Sequence, residues 1–106
     1  MRRTPFAGFD WDAGNREKCC KHGLTIADIE YILASDPPFL APDVRNSVVE
    51  PRYIAVGRTP AGRYAFVVFT PRKRAGAVLL RPISARFMHR KEIEQYEKAN
   101  SGIEER

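Results

Sequence analysis

The chain has 106 residues and a formal net charge of +5, with 43% hydrophobic and 29% charged residues. This length favours one domain over residues 1–106, and the hydrophobic share is typical of a globular chain rather than a disordered one. The longest apolar runs, such as YAFVVF, are too short to span a bilayer, and MRRTPFAGFDWD lacks the apolar stretch of a signal peptide. We therefore expect a cytoplasmic protein. The positive charge indicates an anionic partner such as nucleic acid, or only the basic bias of a soluble protein.

The N-terminal segment predicts a short strand or an aromatic plug, followed by a helix. FAGFDWD, residues 6–12, brings three aromatic residues close together in the chain. Asp12 suits the N-cap of a helix over 13–22, because a short carboxylate accepts hydrogen bonds from the first free N–H groups. Gly23 is placed to end this helix in the left-handed conformation.

A second helix is predicted over 26–35, with four apolar residues at helical spacing: Ile26, Ile29, Ile32 and Leu33. Thr25 is its N-cap candidate, and Asp28 stands where a capping box would have Glu or Gln. DPP at 36–38 stops the helix. The two helices should therefore form a hairpin joined at Gly23.

The middle of the chain changes to the alternating pattern of strands. We predict three strands, over 52–59, 63–70 and 76–86, connected by a turn at PAG, 60–62, and a basic turn at PRKRAG, 71–76. Residues 39–50 have room for a short edge strand and a loop. Such short connections predict an antiparallel meander.

The chain ends in a predicted helix over 89–100, with Ile93 and Tyr96 on one side. The fold class is therefore α+β, with helices covering one face of an antiparallel sheet of about four strands. Two helices precede the main strands, and one follows them.

Arginines are concentrated in the predicted sheet and its turns, at positions 52, 58, 63, 72, 74, 81 and 86. Guanidinium groups bind phosphates through paired hydrogen bonds, so arginines on one sheet face would suit RNA. Arg81 and Arg86 are five residues apart and would point to opposite faces of a regular strand, although Pro82 argues against a regular strand. For any single arginine, a solvated surface is the commoner role.

Lys21 and His22 have two readings, as cations that stabilise a helix C-terminus or as catalytic groups. Histidine side chains exchange protons near neutral pH, and a lysine can stabilise phosphate charge. The neighbouring Cys19 and Cys20 cannot easily form a disulfide with each other, and Cys₂His₂ metal spacing is missing. We expect at least one of these cysteines to pack under the helix.

Glu92 and Tyr96 are four residues apart and share a face of the last helix. Tyr96 has the chemistry to stack on an RNA base, or to pack in the core with its hydroxyl at the edge. Reasoning from the residues alone ends at a small basic α+β domain.

Several segments in order resemble the BrnT toxins of BrnT/BrnA type II toxin–antitoxin modules. They are FDWD at 9–12, KHG at 21–23, DP at 36–37, VGRT at 56–59, FT at 69–70, RPISAR at 81–86 and KEIEQYE at 91–97. The resemblance covers residues 6–97 and leaves 98–106 as a frayed tail.

The resemblance implies a RelE-like fold and an endoribonuclease that blocks translation. It also implies a BrnA-type antitoxin partner with a DNA-binding domain, and a homodimer of the toxin within their complex. Toxins of this fold cleave RNA without a metal, so neither a metal nor a cofactor is expected.

Carried over by position, the residues marked in the family are Trp11, Lys21, His22, Gly23, Arg58, Arg81, Arg86, Glu92 and Tyr96. The resemblance implies proton transfer by His22 or Lys21, and phosphate binding by Arg58, Arg81 and Arg86. Glu92 would orient an arginine, and Tyr96 would stack on a base or donate a hydrogen bond. The alternative is a catalytically inactive module of the same fold that binds RNA or the antitoxin.

Overall fold

The computed structural model describes residues 6–35, 39–42 and 51–104 and confirms the α+β class. Its elements in chain order are β1 (Gly8–Phe9), α1 (Ala13–Cys20), α2 (Ile26–Ala34), β2 (Phe39–Pro42), β3 (Tyr53–Arg58), β4 (Tyr64–Arg74), β5 (Ala77–Phe87) and α3 (Arg90–Glu104). None of the described helices has both the length and the apolar character that crossing a membrane requires. The DPP segment at 36–38 lies outside the described residues.

One sheet of five strands has the order β1-β5-β4-β3-β2. The strands β2 to β5 pair antiparallel as the predicted meander, and β1 adds a parallel pairing with β5 through Gly8 and Leu79. The edge strand expected within 39–50 is confirmed as β2, while residues 43–50 lie outside the described part. The short strand, rather than the aromatic plug, is therefore correct for the N-terminal segment.

The predicted basic turn at 71–76 is wrong. Residues 71–74 continue β4 and pair with 77–80 of β5, so only Ala75 and Gly76 form the turn. Their φ angles are +51° and +81°, and positive φ at both central residues is what a two-residue type I′ hairpin requires. Charged, exposed side chains hid this part of the strand, because it has no apolar alternation to reveal it.

Both predicted N-caps are confirmed, and each belongs to a reciprocal capping box. The Asn15 N–H donates to Asp12 Oδ1 at 3.0 Å, and the Asp12 N–H donates to Asn15 Oδ1 at 2.7 Å. Thr25 and Asp28 form the second box, with two bonds of 3.0 Å. Gly23 has φ +104°, as predicted, although α1 itself ends at Cys20.

The helices α1 and α2 cover one face of the sheet. The buried core contains one cysteine and aliphatic or aromatic residues of α2, β3, β4 and β5: Cys19, Leu24, Ile29, Ile32, Leu33, Ala55, Ala65, Val67, Phe69 and Ala85. Gly57 of β3 lies under α2, because a Cβ atom there would be 2.9 Å from Ile32 Cγ2. We call the opposite face, which carries Tyr64, Phe66 and Val68 of β4, the distal face.

Candidate active site

An irregularity in β5 sets the direction of the two arginines that sequence reasoning singled out. Val68 pairs with Ser84 and Phe69 with Pro82, so Ile83 is an extra residue that forms a β-bulge. Arg86 is thereby opposite Phe66, and Arg81 is opposite Thr70. Because those β4 residues are four apart, the bulge cancels the odd spacing of the two arginines, as Pro82 had indicated.

A cavity of about 320 Å³ lies on the distal face, and we call it the distal cavity. Its lining is mostly apolar, with Ile54, Phe66 and Val68 on adjacent strands. Three polar side chains also line it: His22, Ser84 and Arg86. An imidazole, a hydroxyl and a guanidinium thus share one apolar depression, which is the usual composition of a small ligand site.

Arg86 is held from two sides. Its Nη1 donates to Glu92 Oε1 at 2.9 Å and its Nη2 to Glu92 Oε2 at 2.8 Å, and Nη1 also donates to the Phe87 carbonyl at 3.2 Å. The guanidinium carbon lies 4.7 Å from the centre of the Phe66 ring. The pKa of Arg86 is raised, mainly by the hydrogen bond to Glu92, so the group is always charged.

Glu92 joins this arginine to the start of α3. Its Oε1 also accepts the backbone N–H of His89 at 2.7 Å, which gives the helix one half of a capping box. Hydrogen bonds from Arg86 first, and then from the His89 backbone, lower the pKa of Glu92 to about 2. The predicted role of Glu92, orienting an arginine, has this geometry.

A second polar and aromatic group on the same face contains Arg58 and Tyr96. Arg58 Nη2 donates to the Tyr64 hydroxyl at 2.9 Å, and the Tyr64 and Tyr96 rings meet edge-on with centroids 5.4 Å apart. Tyr64 lies two residues from Phe66 on β4, so this group adjoins the distal cavity. Glu92 and Tyr96, predicted to share a helix face, both meet the distal face of the sheet.

His22 and Lys21 occupy the turn after α1, and only His22 reaches the distal cavity. Lys21 is exposed and is not part of the cavity lining. The turn is close to the end of β5, because a Cβ atom on Gly23 would be 3.4 Å from Phe87 Cε2. The helix-ending reading is compatible with this placement, since the Gly23 N–H bonds the Cys20 carbonyl at 3.3 Å.

Arg81 is the predicted site residue that the structure sets apart. Its Nη2 donates to Asp12 Oδ2 at 2.9 Å, and its Nη1 lies 3.7 Å from Asp10 Oδ1. The Asn15 backbone N–H, and then Arg81, lower the pKa of Asp12. Arg81 therefore ties β5 to the start of α1 and does not line the distal cavity.

Sequence reasoning missed Ser84 and Phe66 as lining residues. Ser84 stands two residues before Arg86, so strand alternation was the available signal for its position on the same face. Phe66 was hidden in an apolar run whose members belong to both faces of the sheet.

The cysteines fit the packing prediction. Cys19 is fully buried, and burial, with a smaller effect of neighbouring Cys20, raises its pKa to about 11. Such a thiol is a poor nucleophile at neutral pH. In the described part of the chain, no cluster of three or more His, Cys, Asp or Glu side chains is arranged to hold a metal ion.

Comparison with known proteins places the chain in a family. The family model described as the ribonuclease toxin BrnT of type II toxin–antitoxin systems matches residues 11–92. The matched range includes His22, Arg81 and Arg86 and reaches Glu92, while Tyr96 lies beyond it. No curated protein matched the chain. The resemblance inferred from the ordered segments is confirmed: the chain belongs to the family of BrnT ribonuclease toxins of type II toxin–antitoxin systems.

Proposed function

We propose that this chain is a toxin that cleaves RNA endonucleolytically at the distal cavity, without a metal ion. The observation that carries the proposal is that His22 and Arg86 line one cavity. A group able to move a proton and a cation able to hold a phosphate are the minimal pair for this chemistry. Family membership supports the reaction class.

The reaction is a transfer of the phosphodiester to the neighbouring ribose hydroxyl. The 2′-oxygen forms a bond to phosphorus as the bond from phosphorus to the 5′-oxygen breaks, which leaves a 2′,3′-cyclic phosphate and a 5′-hydroxyl. His22 accepts the proton of the 2′-hydroxyl, and the 5′-oxygen gains a proton as it leaves. Lys21, next in the chain, is the second candidate for proton transfer, although it must turn toward the cavity to serve.

Arg86 holds the phosphate and stabilises the charge that develops on its oxygens. The Glu92 carboxylate and the Phe66 ring fix the guanidinium, so little ordering remains when the phosphate arrives. A guanidinium has five N–H donors, and those not used by Glu92 and the Phe87 carbonyl are available to the substrate. Glu92 is thus a positioning residue.

Arg58, Tyr96 and Arg81 bind the RNA outside the reacting bond. Arg58 and Tyr96 meet at Tyr64 on the distal face, where a base can stack and a phosphate can pair with the guanidinium. Arg81 lies farther along β5 and contacts a different part of the strand.

The biological setting follows from the family. A BrnA-type antitoxin would bind and neutralise this chain, with a homodimer of the toxin in the complex. Release of the toxin would cut RNA in the cytoplasm and inhibit translation. The RelE-like character of the fold belongs to the same proposal and agrees with the α+β arrangement.

One observation favours the alternative of an inactive module that binds RNA or the antitoxin. Glu92 engages Arg86 through both carboxylate oxygens, and this carboxylate competes with a phosphate for the same guanidinium. If the pair never opens toward substrate, the chain would bind without cleaving.

Expression in a bacterium separates the two readings. The chain alone would be induced while growth and total RNA are followed, beside His22→Ala and Arg86→Ala. His89→Ala and Arg16→Ala are matched controls, because each removes the same side chain from an exposed position outside the cavity. We expect growth arrest and RNA decay with wild type and both controls, and their loss in the two cavity variants. Normal growth and intact RNA with soluble, folded wild type would support the inactive module.

A further inference from the structure

A second cavity, of about 310 Å³, lies farther along β5 and is lined by cationic side chains. We call it the basic cavity, and its cations come from four parts of the chain: Lys18 of α1, Arg52 before β3, Arg72 of β4 and Arg81 of β5. None of its described lining residues is acidic. Cations from separate elements that converge on a concave surface produce a strong local positive potential.

The wall of this cavity is held in place by buried polar contacts. Asn15, a lining residue that is 6% exposed, donates its amide to the Pro82 carbonyl at 2.8 Å and to the Asp10 carbonyl at 3.0 Å. The Arg81 side chain is 20% exposed and is fixed by Asp12. The cavity therefore keeps its shape without a ligand, so a bound anion would cost little in ordering.

The carboxylates near the cavity are already shared. Asp10 contacts both Arg81, at 3.7 Å, and Arg74, at 3.0 Å, while Asp12 serves Arg81. Lys18 is exposed and makes no ion pair within the described part of the chain. The balance of charge around the cavity is thus positive and favours an anionic ligand.

We propose that the basic cavity binds a second phosphate of the RNA, a few nucleotides from the bond that is cleaved. This inference rests on the proposed function. The two cavities share no lining residue, and they follow each other along β5, with Arg81 to Ile83 in one and Ser84 to Arg86 in the other. At the usual rise of a strand, Arg81 and Arg86 are roughly 16 Å apart, which is too far for one phosphate to bridge.

The chemistry of the lining selects phosphate among anions. Arginine forks match two phosphate oxygens, and a lysine adds a mobile point charge beside them. A single strand that crosses the distal face offers phosphates at regular intervals, so a second contact fixes which bond lies at His22 and Arg86. The basic cavity would therefore increase affinity for long RNA and set the register of cleavage.

Binding of fluorescent RNA, followed by anisotropy at several salt concentrations, tests this assignment. The probes are 2′-O-methyl oligonucleotides, which cannot be cleaved, of two and of eight or so nucleotides. The variant Lys18→Gln/Arg72→Gln removes two charges from the cavity and leaves Arg81 to tether α1. The matched control, Arg16→Gln/Lys73→Gln, removes two exposed charges from the same elements outside the cavity.

We expect the cavity variant to bind the long probe several-fold more weakly, with a salt slope smaller by about 0.7 for each phosphate that the protein no longer neutralises. It should bind the dinucleotide as the control does. Equal affinity and slope for variant and control on the long probe would overturn the second site, even if wild type cleaves RNA. Loss of binding to an acidic protein partner, with RNA binding intact, would reassign the cavity to that partner. A wild type that binds long RNA but never cleaves would contradict only the proposed reaction.

Discussion

Arg86 at the end of β5 and Glu92 in the first turn of α3 form an ion pair through two hydrogen bonds, of 2.9 and 2.8 Å. The same carboxylate accepts the His89 N–H, so one side chain starts a helix and holds the proposed phosphate-binding arginine. The pair joins the stability of α3 to the geometry of the distal cavity.

Replacing Glu92 by Gln should reduce stability at neutral pH and much less in acid. The folded protein holds the pKa of Glu92 at about 2, below the ordinary value of 4.5, so its ion pair stabilises the fold above pH 4.5. This contribution is lost as the pH falls from 4.5 toward 2. We expect the gap in free energy of unfolding between wild type and Glu92→Gln to shrink across that range, measured by urea denaturation.

The exposed Glu94 on the same helix provides the control. Glu94→Gln should differ little from wild type at neutral pH, because exposed surface charges contribute little. A gap between wild type and Glu92→Gln that stays constant from pH 7 to pH 2 would contradict the role assigned to this ion pair.

Gly57→Ala should destabilise the fold by about 1–3 kcal/mol, the usual cost of an overpacked core. The new methyl group would lie 2.9 Å from Ile32 Cγ2, and Ile32 is fully buried in α2 and branched at Cβ, so it cannot turn aside. Guanidinium denaturation gives the free energy of unfolding. Gly8→Ala is the matched strand control, with Leu79 at an ordinary 3.8 Å, and should cost little. Equal stability of the two variants would show that α2 does not rest on β3 at this point.

The two thiols should differ in reactivity. Cys19 is fully buried with its pKa raised to about 11, whereas Cys20 is only half-buried. In native protein at pH 8, the Cys20→Ser variant should release almost no colour with a disulfide reagent until urea unfolds it. The Cys19→Ser variant should react without urea. A native Cys20→Ser protein that reacts as fast as the unfolded chain would rule out Cys19 as a core residue.

Local chemistry was readable in the sequence. Asp12 and Thr25 cap their helices, and Gly23 takes a positive φ, because each depends only on residues within a few positions. The reciprocal bond from Asp28 shows that aspartate can complete a capping box that usually contains glutamate or glutamine.

Long-range relations were not readable. The parallel pairing of Gly8 with Leu79 joins residues 71 positions apart, and nothing local marks it. The bulge at Ile83 changes which side chains share a face, so the sequence could not say that Arg86 would join His22 while Arg81 would join Asp12. Grouping of the site residues depended on the sheet register rather than on their spacing.

Cleavage of a defined RNA by the purified chain tests the central claim most directly. The reaction would run with a metal chelator, and the ends of the products would be identified, beside His22→Ala, Arg86→Ala and the control His89→Ala. We predict 2′,3′-cyclic phosphate and 5′-hydroxyl ends, a rate at least about 100-fold lower in both cavity variants, and no loss in the control. If folded His22→Ala and Arg86→Ala proteins cleave as fast as wild type, the distal cavity is not the active site.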